Sequence, residues 1–83
     1  MFKNKAQNGR NNFCGIKIET LRKNFKPKMS QRLLAEKCQL FGVDLDKNAI
    51  QRIECGKRFV TDIELVCFAN IFQVSYKELL EEL

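Results

Sequence analysis

The sequence feature that most constrains the fold is a run of apolar residues at helical spacing. Four of them recur at i, i+3, i+4 and i+7: Leu65, Phe68, Ala69 and Phe72. This spacing places all four on one side of a helix. Thr61 and Glu64 stand before the run with the T-x-x-E spacing of a capping box, which predicts where the helix begins. We therefore expect this helix to be the scaffold of the core.

Shorter apolar stripes predict four more helices. The first begins at Gly15, carries Ile18, Leu21 and Phe25, and cannot continue through Pro27. The second follows Ser30, and its apolar face is Leu34, Ala35, Cys38 and Phe41. A short third helix covers 47–55, and a short fifth helix after Ser75 carries Leu79, Leu80 and Leu83. No stretch indicates a strand, so the predicted fold is an all-α compact bundle of about five short helices.

The chain of 83 residues has room for a single modest core. Residues 1–14 are rich in Asn and Lys without an apolar period, so we predict a flexible basic N-terminal arm there and a helical domain at 15–83. The longest apolar runs are far too short to cross a membrane, and the N-terminus lacks the apolar region of a secretion signal. We expect a cytoplasmic protein without membrane association.

The charge is divided along the chain. Residues 1–58 hold 14 Lys/Arg and 5 Asp/Glu, a balance of +9, whereas residues 59–83 hold 1 and 5, a balance of −4. A basic part joined to an acidic part is what a phosphate-neutralising surface needs. A solvated basic face without a polyanion partner has the same composition, so charge alone leaves both interpretations open.

The residues that usually carry catalysis or metal binding are missing or badly spaced. The cysteines stand at 14, 38, 55 and 67, too far apart for a zinc knuckle or a redox C-x-x-C. There is no histidine, so a cysteine or serine nucleophile would lack its usual base. We expect Cys38 and Cys67 to be small apolar core residues and Cys55 to be more exposed. No enzyme activity, cofactor, metal or small-molecule ligand is expected.

The stretch 46–58 combines one narrow apolar side with polar residues elsewhere. Asp46 can cap a helix start, Ile50 and Ile53 lie three residues apart, and Gly56 can end the helix. The other side chains can all form hydrogen bonds: Lys47, Asn48, Gln51, Arg52, Lys57 and Arg58. A helix of this composition is anchored along its apolar stripe and leaves its polar face free for a partner.

Taken together, the segments SQRLLAEKC and AIQRIECGKR, the turn at Gly42 and Val43, and the stripe at 65–72 resemble the Cro/C1-type (XRE family) helix-turn-helix domains over 15–83. The resemblance implies a lambda-repressor-like domain of a bacterial or phage transcriptional regulator, usually a repressor, whose helix 47–55 enters the major groove of double-stranded DNA. In one respect the sequence departs from the family: Gln31 and Ile50 are further apart than usual. We place about one extra helical turn in the second helix and the rest in the connection.

The resemblance also implies which residues touch DNA: Gln31, Lys47, Asn48, Gln51, Arg52, Lys57 and Arg58. Lys47, Asn48 and Gln51 would face base edges, because Lys donates to guanine O6 and N7 and amides pair with adenine N6 and N7. The others would contact phosphates. Glu54 would be repelled by phosphate, so we expect it to brace a backbone amide or a nearby Arg. For each residue the plain alternative is a solvated polar side chain.

A second function stays open at this point: a protein-interaction module, such as an antitoxin or an accessory subunit, built on the same fold. We expect a homodimer. We place its contact on the last helix, because its leucines carry more apolar surface than this short helix needs to cover the end of the core. Phe59 is expected to cover the core. RNA is less favoured, because Tyr76 and scattered Phe residues give no stacking platform.

Overall fold

Capping side chains set the starts of four helices. Ser30 Oγ accepts a hydrogen bond from Leu33 N at 3.0 Å, and Asp46 Oδ1 accepts one from Ala49 N at 2.7 Å. The predicted capping box is complete, since Thr61 Oγ1 accepts from Glu64 N while Glu64 Oε1 accepts from Thr61 N. At the last helix, the hydroxyl of the predicted cap Ser75 accepts from an amide three residues later.

The computed structural model describes residues 9–80, in which five helices are present and strands are absent. The helices are α1 (Gly15–Asn24), α2 (Gln31–Leu40), α3 (Lys47–Glu54), α4 (Asp62–Phe72) and α5 (Tyr76–Leu80). This confirms the predicted all-α bundle. No helix in 9–80 is long and apolar enough to span a membrane.

One core holds the helices together. α2 packs against α3 and α4, α1 against α3 and α5, and α4 against α5. The largest fully buried side chains come from all five helices and the connections between them: Phe68, Ile18, Met29, Leu34, Leu45, Ile50, Ile53 and Leu79. The stripe of α4 behaves as predicted, with Phe68, Ala69 and Phe72 buried and Leu65 packed at the core edge.

Two aromatic predictions are wrong. Phe41 is 55 % exposed: it is the C-cap residue of α2, and its neighbour Leu40 is exposed as well, so the end of this helix lies beyond the core. Phe59, expected to cover the core, is 52 % exposed. Leu79 is buried as an apolar residue of α5 should be, whereas Leu83 lies outside the described residues.

The segment before α1 differs from the flexible arm that we expected there. Residues 1–8 of that arm lie outside the described part. Residues 10–12 form hydrogen bonds to the end of α3 and the loop after it, and Cys14 is fully buried. The Arg10 guanidinium, two Asn side chains and a backbone amide make these bonds, so a search for apolar periodicity could not predict them.

Candidate nucleic-acid interface

α3 is two-sided. Its buried side consists of Ala49, Ile50, Ile53 and Glu54, and its exposed side of Lys47, Asn48, Gln51 and Arg52. Both isoleucines are completely buried, as predicted. The structure therefore brings the four predicted polar residues together on one solvent-facing side of a single helix.

The turn between α2 and α3 is tightly hydrogen-bonded. Val43 N donates to Cys38 O at 2.9 Å and Gly42 N donates to Gln39 O at 2.9 Å, which is the Schellman arrangement with a left-handed glycine (φ +79°). Gln39 Nε2 then donates to Asp44 Oδ1 and to Leu45 O, and the Leu45 side chain is buried below the turn. These hydrogen bonds fix the conformation of the connection between α2 and α3, residues 41–46.

A buried carboxylate joins α3 to α1 and α2. Glu54 accepts from Arg22 Nε at 2.7 Å, from Arg22 Nη2 at 3.0 Å and from Gln31 Nε2 at 2.9 Å. Arg22 Nη1 also donates to Met29 O in the loop before α2. The expectation that Glu54 braces a nearby Arg is confirmed, and the pair fixes the last turn of α3 relative to both neighbouring helices.

Sequence reasoning missed Arg22. The predicted apolar stripe of the first helix did not include it, but it lies four residues after Ile18 and is therefore on the same face as the stripe, where it is 7 % exposed. The hydrogen bonds to Glu54 raise the pKa of the Arg22 guanidinium, against the lowering effect of its burial. The signal that could have identified it was a buried Glu in α3 that needed a cationic partner.

Between the starts of α2 and α3 lies an open cleft of about 700 Å³. Its lining residues are Arg22, Lys28, Met29, Ser30, Gln31, Arg32 and Lys47. Lys28 and Lys47 form no ion pair within residues 9–80, and the first amides of α2 add the positive end of a helix dipole. Lys28 and Arg32 were not predicted as site residues, although their positions on either side of Gln31 could have indicated them.

The predicted phosphate-binding residues in the last turn of α3 and just after it differ in whether other side chains already bind them. Arg52 and Lys57 are exposed. Arg58 instead donates from Nη1 to Glu64 Oε1 at 2.8 Å and from Nη2 to Glu64 Oε2 at 3.0 Å, so any phosphate role of Arg58 competes with this pair. Burial acts to raise the pKa of Glu64, but bonds from Arg58 and the Thr61 amide outweigh it and the pKa is lowered.

The cysteines are apolar core residues except one. Cys38 and Cys67 are buried and Cys55 is exposed, as predicted. Cys14, for which we made no prediction, is also buried. Burial raises the pKa of Cys14 to about 11 and that of Cys38, which lies next to Cys67, to about 12. Within residues 9–80 there is no group of three or more Cys, Asp or Glu side chains placed to hold a metal ion.

Comparisons with known proteins return no matching family model, no matching curated protein and no matching solved structure.

Proposed function

We propose that this protein is a sequence-specific DNA-binding transcriptional regulator of the Cro/C1 helix-turn-helix type, with α3 in the major groove. The observation that supports it best is the two-sidedness of α3. Lys47, Asn48 and Gln51 project from a helix whose opposite side is fixed by buried isoleucines and by Glu54. Side chains on a rigidly held helix can present donors and acceptors to base edges in a defined register.

Lys47 and Asn48 occupy the first turn of α3, and Gln51 the next one. In helix-turn-helix complexes the N-terminal part of the second helix contacts base edges. We assign base reading to these three residues.

The cleft beside α2 supplies phosphate contacts. The amide nitrogen of Gln31 uses one N–H on Glu54 and has a second one to donate to a phosphate oxygen. Lys28 and Arg32 stand on either side of it, and the α2 amides point toward the same space. Arg52 and Lys57 extend the cationic surface to the far end of α3.

A dimer on a two-fold site would double this surface, as is usual for such readers. α5 leaves Tyr76 and Leu80 exposed at i and i+4, and we propose that side as the homodimer contact. Acting on DNA as a repressor, the protein would work in the cytoplasm of its host.

Selection of bound sequences from a random duplex pool tests this function. The selected duplex should bind with an affinity that falls steeply between 50 and 200 mM salt, by roughly 10³-fold or more if six phosphates are contacted. Lys47→Ala with Gln51→Ala should abolish selection, and Lys23→Ala, at an exposed position on α1, should leave it intact. Failure of the wild-type chain to enrich any sequence would refute the proposal.

One observation favours a protein-interaction module as second candidate. The outward side of α4 exposes Ile63, at 70 %, and Val66, at 42 %. If that side carries the function, Ile63→Ser with Val66→Ser abolishes biological activity while Lys47→Ala with Gln51→Ala leaves it unchanged. The opposite pattern supports the DNA-binding regulator.

A further inference from the structure

We propose that Asn12, helped by Arg10 and Asn11, is a positioning residue that holds the C-terminal end of α3 at a fixed angle for DNA. We call residues 10–12 the Asn12 clamp. The inference rests on the proposed function, because the angle matters only if α3 enters a groove.

Asn12 links three parts of the chain. Its side-chain Nδ2 donates to Ile53 O at 3.1 Å and to Arg58 O at 2.7 Å, and its Oδ1 accepts from Gly15 N at 2.8 Å. The residue is 9 % exposed, so these bonds are largely shielded from water. One amide group therefore joins the start of α1 to the last turn of α3 and to the loop that follows.

The neighbours of Asn12 act on the same segment. Arg10 Nη2 donates to Glu54 O at 2.7 Å. The Asn11 backbone N–H donates to Gly56 O at 2.8 Å, and Asn11 Nδ2 donates to Lys57 O at 2.9 Å. A guanidinium at this place also meets the negative end of the helix dipole.

Four of the five carbonyls that the clamp binds accept no hydrogen bond in the turn that ends α3; the exception is Ile53 O. The Schellman turn at Gly56 satisfies Arg52 O, through Lys57 N, and Ile53 O, through Gly56 N. The clamp supplies donors to the carbonyls beyond that turn, those of Glu54, Gly56, Lys57 and Arg58. The end of α3 is thus built from two segments more than forty residues apart in sequence.

The clamp acts at the end of α3 opposite to the base-reading residues. The Arg22–Glu54 pair and Ile53 hold the side of the last turn of α3, and the clamp holds the end of that turn. Without the clamp the turn keeps its side contacts but loses the restraint on its end. The clamp also sets the path of the chain at Lys57. Asn11 of the clamp binds the Lys57 carbonyl, and the Lys57 side chain is exposed to solvent. Loss of the clamp should therefore cost phosphate contacts at this end before it costs the fold.

Asn12→Asp distinguishes the hydrogen bond that Asn12 accepts from the two that it donates. The carboxylate keeps an acceptor for Gly15 N but has no N–H to donate to Ile53 O and Arg58 O. Phe72→Leu is the matched control, because it loosens the core at α4, where Phe72 packs edge-on against Phe25, and leaves every donor of the clamp in place. Asn11→Ala, which loses only the bond to Lys57 O, serves as a milder second variant in case Asn12→Asp folds poorly.

Two measurements on the full chain test the proposal. In Asn12→Asp, and to a smaller extent in Asn11→Ala, amide hydrogen exchange should accelerate at Cys55–Arg58 more than in the rest of the chain, but not in Phe72→Leu. On the duplex selected by the wild-type chain, the slope of log affinity against log salt should fall by about 1 in Asn12→Asp, the change expected for one lost phosphate contact. Phe72→Leu should keep the wild-type slope although it lowers thermal stability.

A wild-type slope in both clamp variants, with DNA binding intact, overturns the positioning role whatever the exchange rates are. Absence of duplex binding by the wild-type chain is a different result. It defeats the proposed function itself, and the positioning role with it.

Discussion

Arg22 on α1 and Glu54 on α3 form a buried two-bonded ion pair, with Nε 2.7 Å from Oε2 and Nη2 3.0 Å from Oε1. The side chains of Arg22 and Glu54 are 9 % and 3 % exposed, so water can solvate neither charge well if its partner is removed. Removing one member leaves the other buried without its counter-charge, which typically costs more than the pair contributes as a whole.

We therefore expect Arg22→Met to lower the free energy of unfolding by about 3–5 kcal/mol. Urea unfolding followed by circular dichroism measures it. Arg22→Met with Glu54→Met should recover much of the loss, because the orphaned charge is gone. Arg32→Ala, which breaks the exposed pair with Glu36, is the control and should change little. A double variant no more stable than the single one would contradict this account.

Gly15 lies where α1 meets the end of α3. A Cβ at this position would overlap Ile53 O and crowd Asn12 Oδ1, so the two helices approach more closely than any side chain permits. We expect Gly15→Ala to cost about 1–3 kcal/mol by forcing backbone shifts, although Ala is the better helix former. Thermal unfolding checks this, and a stabilised variant would show that the contact is not close.

The Arg58–Glu64 pair makes stability depend on pH. The folded pKa of Glu64 is lowered from its ordinary 4.5, so its contribution is fully present well above pH 4.5 and is lost as pH falls through 4.5 toward the folded value. Urea unfolding of the wild-type chain and Glu64→Gln should give a difference at pH 7 that shrinks by pH 3. Glu36→Gln, at an exposed pair, should show a much smaller difference at both values. A difference that grows in acid would have the wrong sign.

Thiol labelling should distinguish the cysteines. Cys55 is exposed, whereas burial raises the pKa of the Cys14, Cys38 and Cys67 thiols and shields them. At pH 8 we expect one thiol to react rapidly with a disulfide reagent in the native protein and all four to react in denaturant. Cys55→Ser should remove the fast phase, and rapid labelling of any buried cysteine would contradict the described packing.

Variants of the proposed base-contacting and phosphate-contacting residues should change DNA binding in different ways. Asn48→Ala should weaken the selected duplex by about 1–3 kcal/mol and relax selectivity at one base position. Lys28→Ala should weaken all duplexes alike and reduce the salt slope by about 1. Competition assays on duplexes with single substitutions measure both effects. Equal behaviour of the two variants would argue against the assignment of Asn48 to a base.

The sequence was sufficient where a local rule decides the structure. Caps at Ser30, Asp46 and Thr61 and the glycine after α3 are local, and the structure has them where they were predicted. The apolar spacing of Ile50 and Ile53 also determined which side of α3 faces solvent, since only one side could be buried.

The rest depends on contacts between distant segments. Arg22 was missed because its burial follows from Glu54, thirty-two residues later, and not from its own neighbours. Asn12 was missed because Asn-rich stretches usually indicate loops, and its partners at Ile53 and Arg58 are more than forty residues away. Phe41 was misplaced because the apolar spacing does not show that the end of α2 extends beyond the core.

The way α3 is finished has a consequence for engineering. Excising 30–58 as a minimal helix-turn-helix would remove both Arg22 and the clamp, leaving Glu54 unneutralised and the carbonyls around Gly56 dependent on solvent. We therefore expect that α2 and α3 cannot be moved to another protein as an isolated pair. Any chimera that transplants α2 and α3 must therefore carry the chain from Arg10 onward.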